Sequence, residues 1–373
     1  EIDCHGGVLM MRKILEAVVH AGARLAEPGE FTKRAFLNGR IDLSEAEAVG
    51  DIITSENENA LKASVRQLRG SVSREIKGYR AQILEDDAFI EAGLDDPEHI
   101  SLDGFTDELK PHVETILSGI RRLIASADDG RRLREGIRTV ILGKPNAGKS
   151  SLLNALVGAD RAIVTDIAGT TRDTLEEHIN LKGVSLTIVD TAGIRATEDT
   201  VEKIGVERAL KAASDADLLI YVVDASVPLD ASDEQIIGEL GDRKCIVLMN
   251  KSDLQAVISE EELEKKTGRP VLSISAKQET GMDLLEEKIR AMFFHEELRF
   301  NDQVIITNER HKYCLGEAAK ALEEVLRSIT MDMPEDFYTI DLMRAYEELG
   351  YILGEQVSED LVNEIFSKFC MGK

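Results

Sequence analysis

Residues 143–150 read GKPNAGKS, the pattern G-x-x-x-x-G-K-S. Residue types at this spacing bind a polyphosphate. The glycines let backbone N–H groups close on phosphate oxygens, Lys149 brings a charge to them, and the Ser150 hydroxyl suits Mg2+. The motif works only between a strand and a helix, and TVILG (139–143) and SSLLNAL (150–156) supply both. Asn146, Ala147, Gly148, Lys149, Ser150 and Ser151 are therefore the expected phosphate contacts.

Further along, DTAG (Asp190, Thr191, Ala192, Gly193) closes another apolar run. Asp190 can hold Mg2+ through water, and the Gly193 N–H can sense a γ-phosphate. Between these motifs lies TDIAGTT, comprising Thr165, Asp166, Ile167, Ala168, Gly169, Thr170 and Thr171. Thr171 offers a second hydroxyl for Mg2+ from a loop that a γ-phosphate would order. NKSD (Asn250, Lys251, Ser252, Asp253) follows a fourth apolar run. A carboxylate there accepts from guanine N1–H and the 2-amino group together, a donor pair that adenine lacks. SAK (Ser275, Ala276, Lys277) offers the Ala276 N–H to guanine O6. Five elements in this order predict a domain that binds and hydrolyses GTP.

Two catalytic parts are missing from the pattern. Small GTPases carry a water-orienting Gln directly after the DTAG glycine, and here that position is Ile194. Glu198, Asp199 and Glu202, in the carboxylate-rich stretch 197–208, are candidates to replace it. No arginine finger stands out either; Arg172 and Arg195 lie in the switch segments and can be structural. A monovalent cation could supply that charge, with the Asn146 side-chain oxygen and carbonyls of the 165–171 loop forming a cage for K+.

These motifs need a scaffold. The runs TVILG, SLTIVDT (185–191), LLIYVVDA (218–225), KCIVLMNK (244–251) and VLSISAK (271–277) alternate with helical patterns, which predicts a doubly wound, mostly parallel sheet. Both flanks read as helical. Leu61, Val65, Leu68, Val72, Ile76, Tyr79 and Ile83 predict one long amphipathic helix with a heptad-like seam suited to self-association. Ser44 and Glu47 read as its upstream capping box. A further helix is expected over 105–129, and Leu315, Ala318, Leu322, Val325 and Ile329 share one helical face. The two flanks are expected to form one helical domain into which the α/β domain is inserted.

The net charge of −25, from 45 basic and 70 acidic residues, argues against a general phosphate-backbone binder. Cys4, Cys245, Cys314 and Cys370 lack the paired spacing of zinc sites and point to a reduced, cytosolic compartment. No apolar run has the length of a membrane span, so no membrane contact is expected. The chain starts at Glu1, and EIDCHGG reads as a strand end entering a turn, as in a chain whose N-terminal part is missing.

The stretches EIDCHGG, FLNGRIDLSEAEAV, GKPNAGKSSLLNAL, TDIAGTTRD, DTAGIR and the terminal FCMGK together resemble the MnmE (TrmE) family of tRNA modification GTPases, across essentially the whole chain. The resemblance implies an α/β P-loop GTPase domain (134–297) inserted into an all-helical domain (39–133 and 298–373) and preceded by a remnant of a tetrahydrofolate-binding domain (1–38). It implies K+-dependent homodimerisation of the GTPase domains, with Asn146, Thr165, Ile167 and Thr170 around K+. Ser150 and Thr171 would hold Mg2+, and Glu202 would position water. It implies an FAD-dependent partner protein, and C5 modification of the wobble uridine of tRNA with 5-formyl- or methylene-tetrahydrofolate as one-carbon donor. Glu1, Arg40 and Lys373 match the folate-binding positions, and Cys370 the terminal cysteine, expected either as an acid/base or nucleophile near the folate or as a small buried residue of a structural helix end. The stretch LDDPEH departs from the pattern, with Asp96 where an aromatic is common. The competing expectation is an RNA- or ribosome-assembly GTPase switch without modification chemistry of its own, and behind it a scaffold that reports nucleotide state.

Overall fold

The computed structural model describes residues 2–55, 57–159, 176–181, 184–189, 216–293 and 304–369. The chain forms two compact units. One comprises residues 1–54, 64–121 and 313–373; the other comprises residues 55–63 and 122–312.

The second unit holds a six-stranded sheet made of β1 (Ile137–Leu142), β2 (Glu177–Leu181), β3 (Val184–Ile188), β4 (Leu218–Asp224), β5 (Cys245–Asn250) and β6 (Val271–Ser273). The order is β2-β3-β1-β4-β5-β6, and every pairing is parallel except β2 with β3. Alternate residues of each central strand enter two separate cores. Ile137, Leu218, Ile220, Val222, Ile246 and Leu248 pack with α7 (Lys149–Ala159) and α10 (Met282–Phe293). Val140, Leu219, Tyr221, Val223, Val247 and Met249 pack with Ile236 of α8 (Ala231–Glu239) and Leu263 of α9 (Glu260–Thr267). A strand covered on both faces carries apolar residues without alternation, which is why the sequence runs were continuous.

The edge strand β2 escaped the sequence reading. It reads EHINL, with only Ile179 and Leu181 buried. An antiparallel edge strand needs one apolar face, and such a short alternation is weak beside five continuous runs. Residues 55–63 belong to this unit through Asn57, which is buried and donates from Nδ2 to the Leu133 carbonyl (3.0 Å) and Ser185 Oγ (2.9 Å).

The first unit is helical. Its elements are α1 (Val8–His20), α2 (Glu30–Leu37), α3 (Leu43–Thr54), the later part of α4 (Glu58–Leu68), α5 (Ser71–Asp95), α12 (Asp336–Leu353) and α13 (Glu359–Ser367). The chain passes from one unit to the other within α6 (Phe105–Glu135) and within α11 (Glu309–Thr330). The expected single helix from Leu61 to Ile83 is two helices. Gly70 breaks it with φ +78°, and a Cβ there would lie 2.9 Å from Glu45 Oε1. The i, i+4 seam runs through the break, so apolar spacing alone could not reveal it.

The capping box of α3 also lies two residues earlier than expected. Asp42 Oδ1 accepts from Glu45 N, and Glu45 Oε2 accepts from Asp42 N, both at 3.0 Å, while Ser44 Oγ donates to Asp42. Val72, Ile76, Ile83 and Ile90 of α5 are buried, and α5 packs along α12. Intramolecular packing thus occupies the α5 part of the seam that suited self-association, while Leu61 of α4 is exposed. Ion pairing reinforces the contact: Arg80, 8% exposed, meets Glu355 through both guanidinium nitrogens and lies 4.0 Å over the Tyr346 ring. Among the described residues no helix is long and apolar enough to cross a membrane.

Candidate nucleotide site and the C-terminal tail

The phosphate loop leaves β1 and enters α7 through a backbone that only particular residues can follow. Gly143 has φ +149°, and a Cβ there would collide with the Val222 carbonyl oxygen of the neighbouring strand. At Gly148, φ is +100° and a Cβ would strike the Asn250 amide. Asn146 sits at φ +60° and is exposed. Side-chain-free backbone at two points leaves the loop N–H groups open to a ligand. Lys149 Nζ donates to the carbonyls of Gly143 and Lys144 at 2.8 Å, which folds this lysine over its own loop. Ser150 and Ser151 are exposed at the start of α7, where the helix terminus favours negative charge.

Asn250, at the end of β5, ties three loops together. Its Nδ2 donates to the Ala147 carbonyl (2.8 Å) and its Oδ1 accepts from Ala276 N (3.0 Å). The residue is 2% exposed. Both ends of one amide are therefore committed, and phosphate loop and base loop are held in register. Asp253 is exposed, and its Oδ1 accepts from Ser275 Oγ at 2.6 Å. That hydroxyl holds the carboxyl below its ordinary range, so it is ionised at neutral pH. The Ser275 hydroxyl takes Oδ1 of the exposed carboxylate, which retains acceptor capacity for a base edge. Ser275 itself is fully buried and also accepts from Gln278 N. Lys251 takes φ +66° and pairs with Asp224 at the end of β4, not with Asp253. Ser252 N donates to the Ile274 carbonyl (3.0 Å), and Lys277 follows exposed beside the loop.

A second polar cluster at this end of the sheet was missed in the sequence. Lys144 Nζ lies 2.8 Å from Asp230 Oδ2 and 2.6 Å from Asp233 Oδ2. Asp233, 1% exposed, also accepts from Tyr221 Oη at 2.8 Å. In the sequence these aspartates resemble an ordinary helix start, which they also are, because Asp230 and Asp233 form the capping box of α8.

The tail that ends in FCMGK is anchored by aromatic packing. Phe366 of α13 is 1% exposed, and with Val362 it shares a core with Leu43 and Ala46, against which Phe36 and Phe369 pack. Phe369 stacks on Phe366 with ring centroids 5.1 Å apart, and Phe36 lies 6.3 Å from the same ring. Gly29 and Gly50 leave the space: Phe369 Cβ would be 3.0 Å from a Cβ on Gly29, and its ring 3.4 Å from one on Gly50. Arg40 is exposed just after α2. At the end of α5, Asp96 Oδ1 hydrogen-bonds His99 Nδ1 at 2.8 Å, a polar turn where the resemblance leads one to expect an aromatic. Cys245 is core, 1% exposed, with burial pushing its thiol up to about 11.

Several of the sequence-read residues lie outside the described residues: Glu1, Thr165, Asp166, Ile167, Ala168, Gly169, Thr170, Thr171, Asp190, Thr191, Ala192, Gly193, Glu202, Cys370 and Lys373. Among the described residues no group of three or more His, Cys, Asp or Glu is arranged to hold a metal ion.

Comparison with known proteins decides the family. The model of the MnmE helical domain matches residues 43–370, and that of the GTP-binding protein TrmE N-terminus matches residues 1–40. A tRNA modification GTPase MnmE of Lachnoclostridium phytofermentans is 59% identical over 373 residues, covering 100% of this chain and 81% of that protein. The chain belongs to the MnmE family. MnmE proteins of Acetivibrio thermocellus and Clostridioides difficile are 48% and 46% identical, again over 100% of this chain and 82% of theirs. A solved G domain of the T. maritima FeoB iron transporter is 31% identical over 42% of this chain and 98% of that one, with a TM-score of 0.32. The MnmE relatives and the strand order, not that last likeness, carry the assignment of a P-loop GTPase domain inserted in a helical one.

Proposed function

We propose that this chain is a K+-stimulated GTPase whose G domains dimerise, and that it works with an FAD-dependent partner to install a C5 (carboxymethyl)aminomethyl group on the wobble uridine of tRNA. Family membership carries the coarser reading, a GTP hydrolase acting in tRNA modification. The observation that most supports guanine nucleotide chemistry is the Asn250 bridge, which ties the phosphate loop at Ala147 to the base loop at Ala276, with ionised Asp253 beside it.

The residues present fit GTP. Glycine-only backbone faces the phosphates, Lys149 neutralises charge on them, and Asp253 accepts from the guanine edge. Ser150 and Thr171 would hold Mg2+, which neutralises charge developing on the phosphates. Asn146 would share a K+ site with Thr165, Ile167 and Thr170, and that cation would replace the charge of an arginine finger. Glu202 would orient the attacking water. Arg40, with Glu1 and Lys373, is proposed to meet 5-formyl- or methylene-tetrahydrofolate, a cation suiting an acidic tail. Cys370 would act there as acid/base or nucleophile, carried on the anchored α13. The corresponding domains are residues 1–38, 39–133 with 298–373, and 134–297, in a cytoplasmic protein.

Nucleoside mass spectrometry of tRNA tests the reading. A strain lacking the endogenous gene is complemented with this protein. Restored C5-modified wobble uridine is expected, lost with Lys149→Ala and with Cys370→Ser. GTP turnover without any change in tRNA would instead favour the assembly switch.

A further inference from the structure

The phosphate loop contains two lysines, and the P-loop pattern explains only one. Lys149 occupies the motif position. Lys144, the second residue of the loop, has side-chain exposure of 16% and contacts two carboxylates at once. Its partners are not loose surface acids. Asp233 is 1% exposed and takes three contacts: Lys144 Nζ at 2.6 Å and Asp230 N at 3.0 Å on Oδ2, and Tyr221 Oη at 2.8 Å on Oδ1. Asp230 caps α8 through Oδ1, accepting from Ser232 N and Asp233 N, and keeps Oδ2 for the lysine at 2.8 Å. Tyr221, fully buried, is fixed in mid-sheet on β4. A continuous polar chain therefore runs from the sheet through Asp233 to the first side chain of the phosphate loop.

We infer that Lys144 is a positioning residue, one that clamps the entry of the phosphate loop to the start of α8 and so sets where the loop's N–H groups meet the nucleotide. It does this without touching phosphate. The geometry argues for that division of labour. A lysine offers three donors, and two are taken by carboxylates inside hydrogen-bond range. Burial lowers the affinity of Lys144 for its proton, but the bonds and charges of Asp230 and Asp233 outweigh it, so the ammonium stays charged. Swinging it to a phosphate would strand Asp233, a buried carboxylate, without its cation. The opposite wall of the loop entry is equally fixed, because Gly143 lies against the Val222 carbonyl with no room for a Cβ. Clamped on both sides, the loop entry has one position. Small displacements of groups that hold a reacting centre are costly in rate, up to ~100-fold for about 1 Å.

The inference rests on the GTPase reading and is tested on the full chain. The readouts are binding of fluorescent GDP and of a non-hydrolysable GTP analogue, GTP turnover in K+, and the thermal melt. The variants are Lys144→Ala, Lys144→Arg, Asp230→Asn, Asp233→Asn and the double variant Lys144→Ala/Asp230→Asn. Asp230→Asn keeps a good helix cap while removing the charge. Lys144→Ala and Asp230→Asn should each weaken both nucleotides and lower turnover, by roughly tenfold for Lys144→Ala. The double variant should be no worse than Lys144→Ala, because both break one clamp. Lys144→Arg, which can still span two carboxylates, should recover most of the loss. The inference is overturned if Lys144→Ala weakens the GTP analogue alone while Asp230→Asn and Asp233→Asn tighten it, since that is the signature of a lysine reaching the γ-phosphate. It is equally overturned if all variants match the parent chain. Should Asp233→Asn fail to fold, Asp230→Asn and the double variant decide alone. A parent chain that binds no guanine nucleotide would defeat the GTPase reading itself.

Discussion

Asn250 and Phe366 are both almost wholly buried, 2% and 1% exposed, and both hold a segment in place. Asn250 does so in the nucleotide unit with two hydrogen bonds, to Ala147 and Ala276. Phe366 does so in the helical unit with ring and aliphatic contacts, to Phe36, Phe369, Leu43 and Ala46. A hydrogen-bonded clamp fixes orientation and fails when one atom changes identity. An apolar seat fixes position and fails when volume changes. The nucleotide unit must discriminate atoms of a base, whereas the seat of α13 needs only shape and volume.

The largest effect expected from this contrast is at Asp253. Asp253→Asn swaps an acceptor for a donor toward the base, so affinity for GTP should fall about 1000-fold while affinity for xanthosine triphosphate rises. Competition binding with both nucleotides checks this, and unchanged preference would break the account of the guanine edge. The melt of the helical unit should not move.

At the apolar seat the corresponding change is Phe366→Ala. It should cost about 3–4 kcal/mol of local stability, as truncations of buried aromatics do. Hydrogen exchange of α13 amides should accelerate, while GDP affinity stays that of the parent chain. Amides in α13 that stay as protected as before would show that the tail is held by something other than this core. A smaller loss, about 1–2 kcal/mol, is expected for Gly29→Ala, because φ is +64° there and the new methyl would press on the Phe366 carbonyl and Phe369. The same exchange experiment reads it, and Gly39→Ala, equally left-handed at φ +66° but with open space around it, separates backbone strain from crowding.

Much of this contrast was legible in the sequence, and unevenly so. Polar motifs announce themselves because their chemistry demands particular atoms: GKPNAGKS, NKSD and SAK read correctly as loops beyond strand ends. The clamp formed by Lys144, Asp230 and Asp233 did not, because its members are 86 and 89 residues apart and each has an innocuous local reading. In the helical unit apolar spacing revealed the face of α11 but not the break at Gly70. Apolar residues recur at the same spacing on both sides of Gly70, so the spacing hides the break and only the glycine itself, left-handed at the end of α4, marks it. The short antiparallel strand β2 was lost for a related reason, since two apolar residues on an exposed edge resemble a loop.

The smallest expected effect concerns pH in the helical unit. His112 Nδ1 lies 2.9 Å from Asp86 Oδ1, and that hydrogen bond with the carboxylate charge raises the imidazole above its ordinary 6.5. Asp86 is 4% exposed and is itself raised, by burial first, against the pull of His112. Glu85 and Glu108 add negative charge around the histidine. A raised histidine contributes stability that is fully present below pH 6.5 and is lost as pH rises through its folded value. The raised Asp86 acts in the same direction at lower pH, its ionisation working against the fold from about pH 3.8 upward. His112 is largely exposed, so the change should stay below about 1 kcal/mol. Exchange rates in α5 and α6 measured at pH 6 and pH 8.5 should show slightly weaker protection at the higher pH, and His112→Gln should flatten the difference.

The central claim is that a bound cation and a displaced acid replace the missing glutamine and arginine finger. Its most direct test is GTP hydrolysis by the full chain in K+ and in Na+ at matched ionic strength, for the parent and for Glu202→Ala. The account predicts turnover at least about tenfold faster in K+, with the acceleration lost in Glu202→Ala. Equal rates in the two salts would contradict it and leave a GTP-binding protein whose catalytic charge comes from elsewhere.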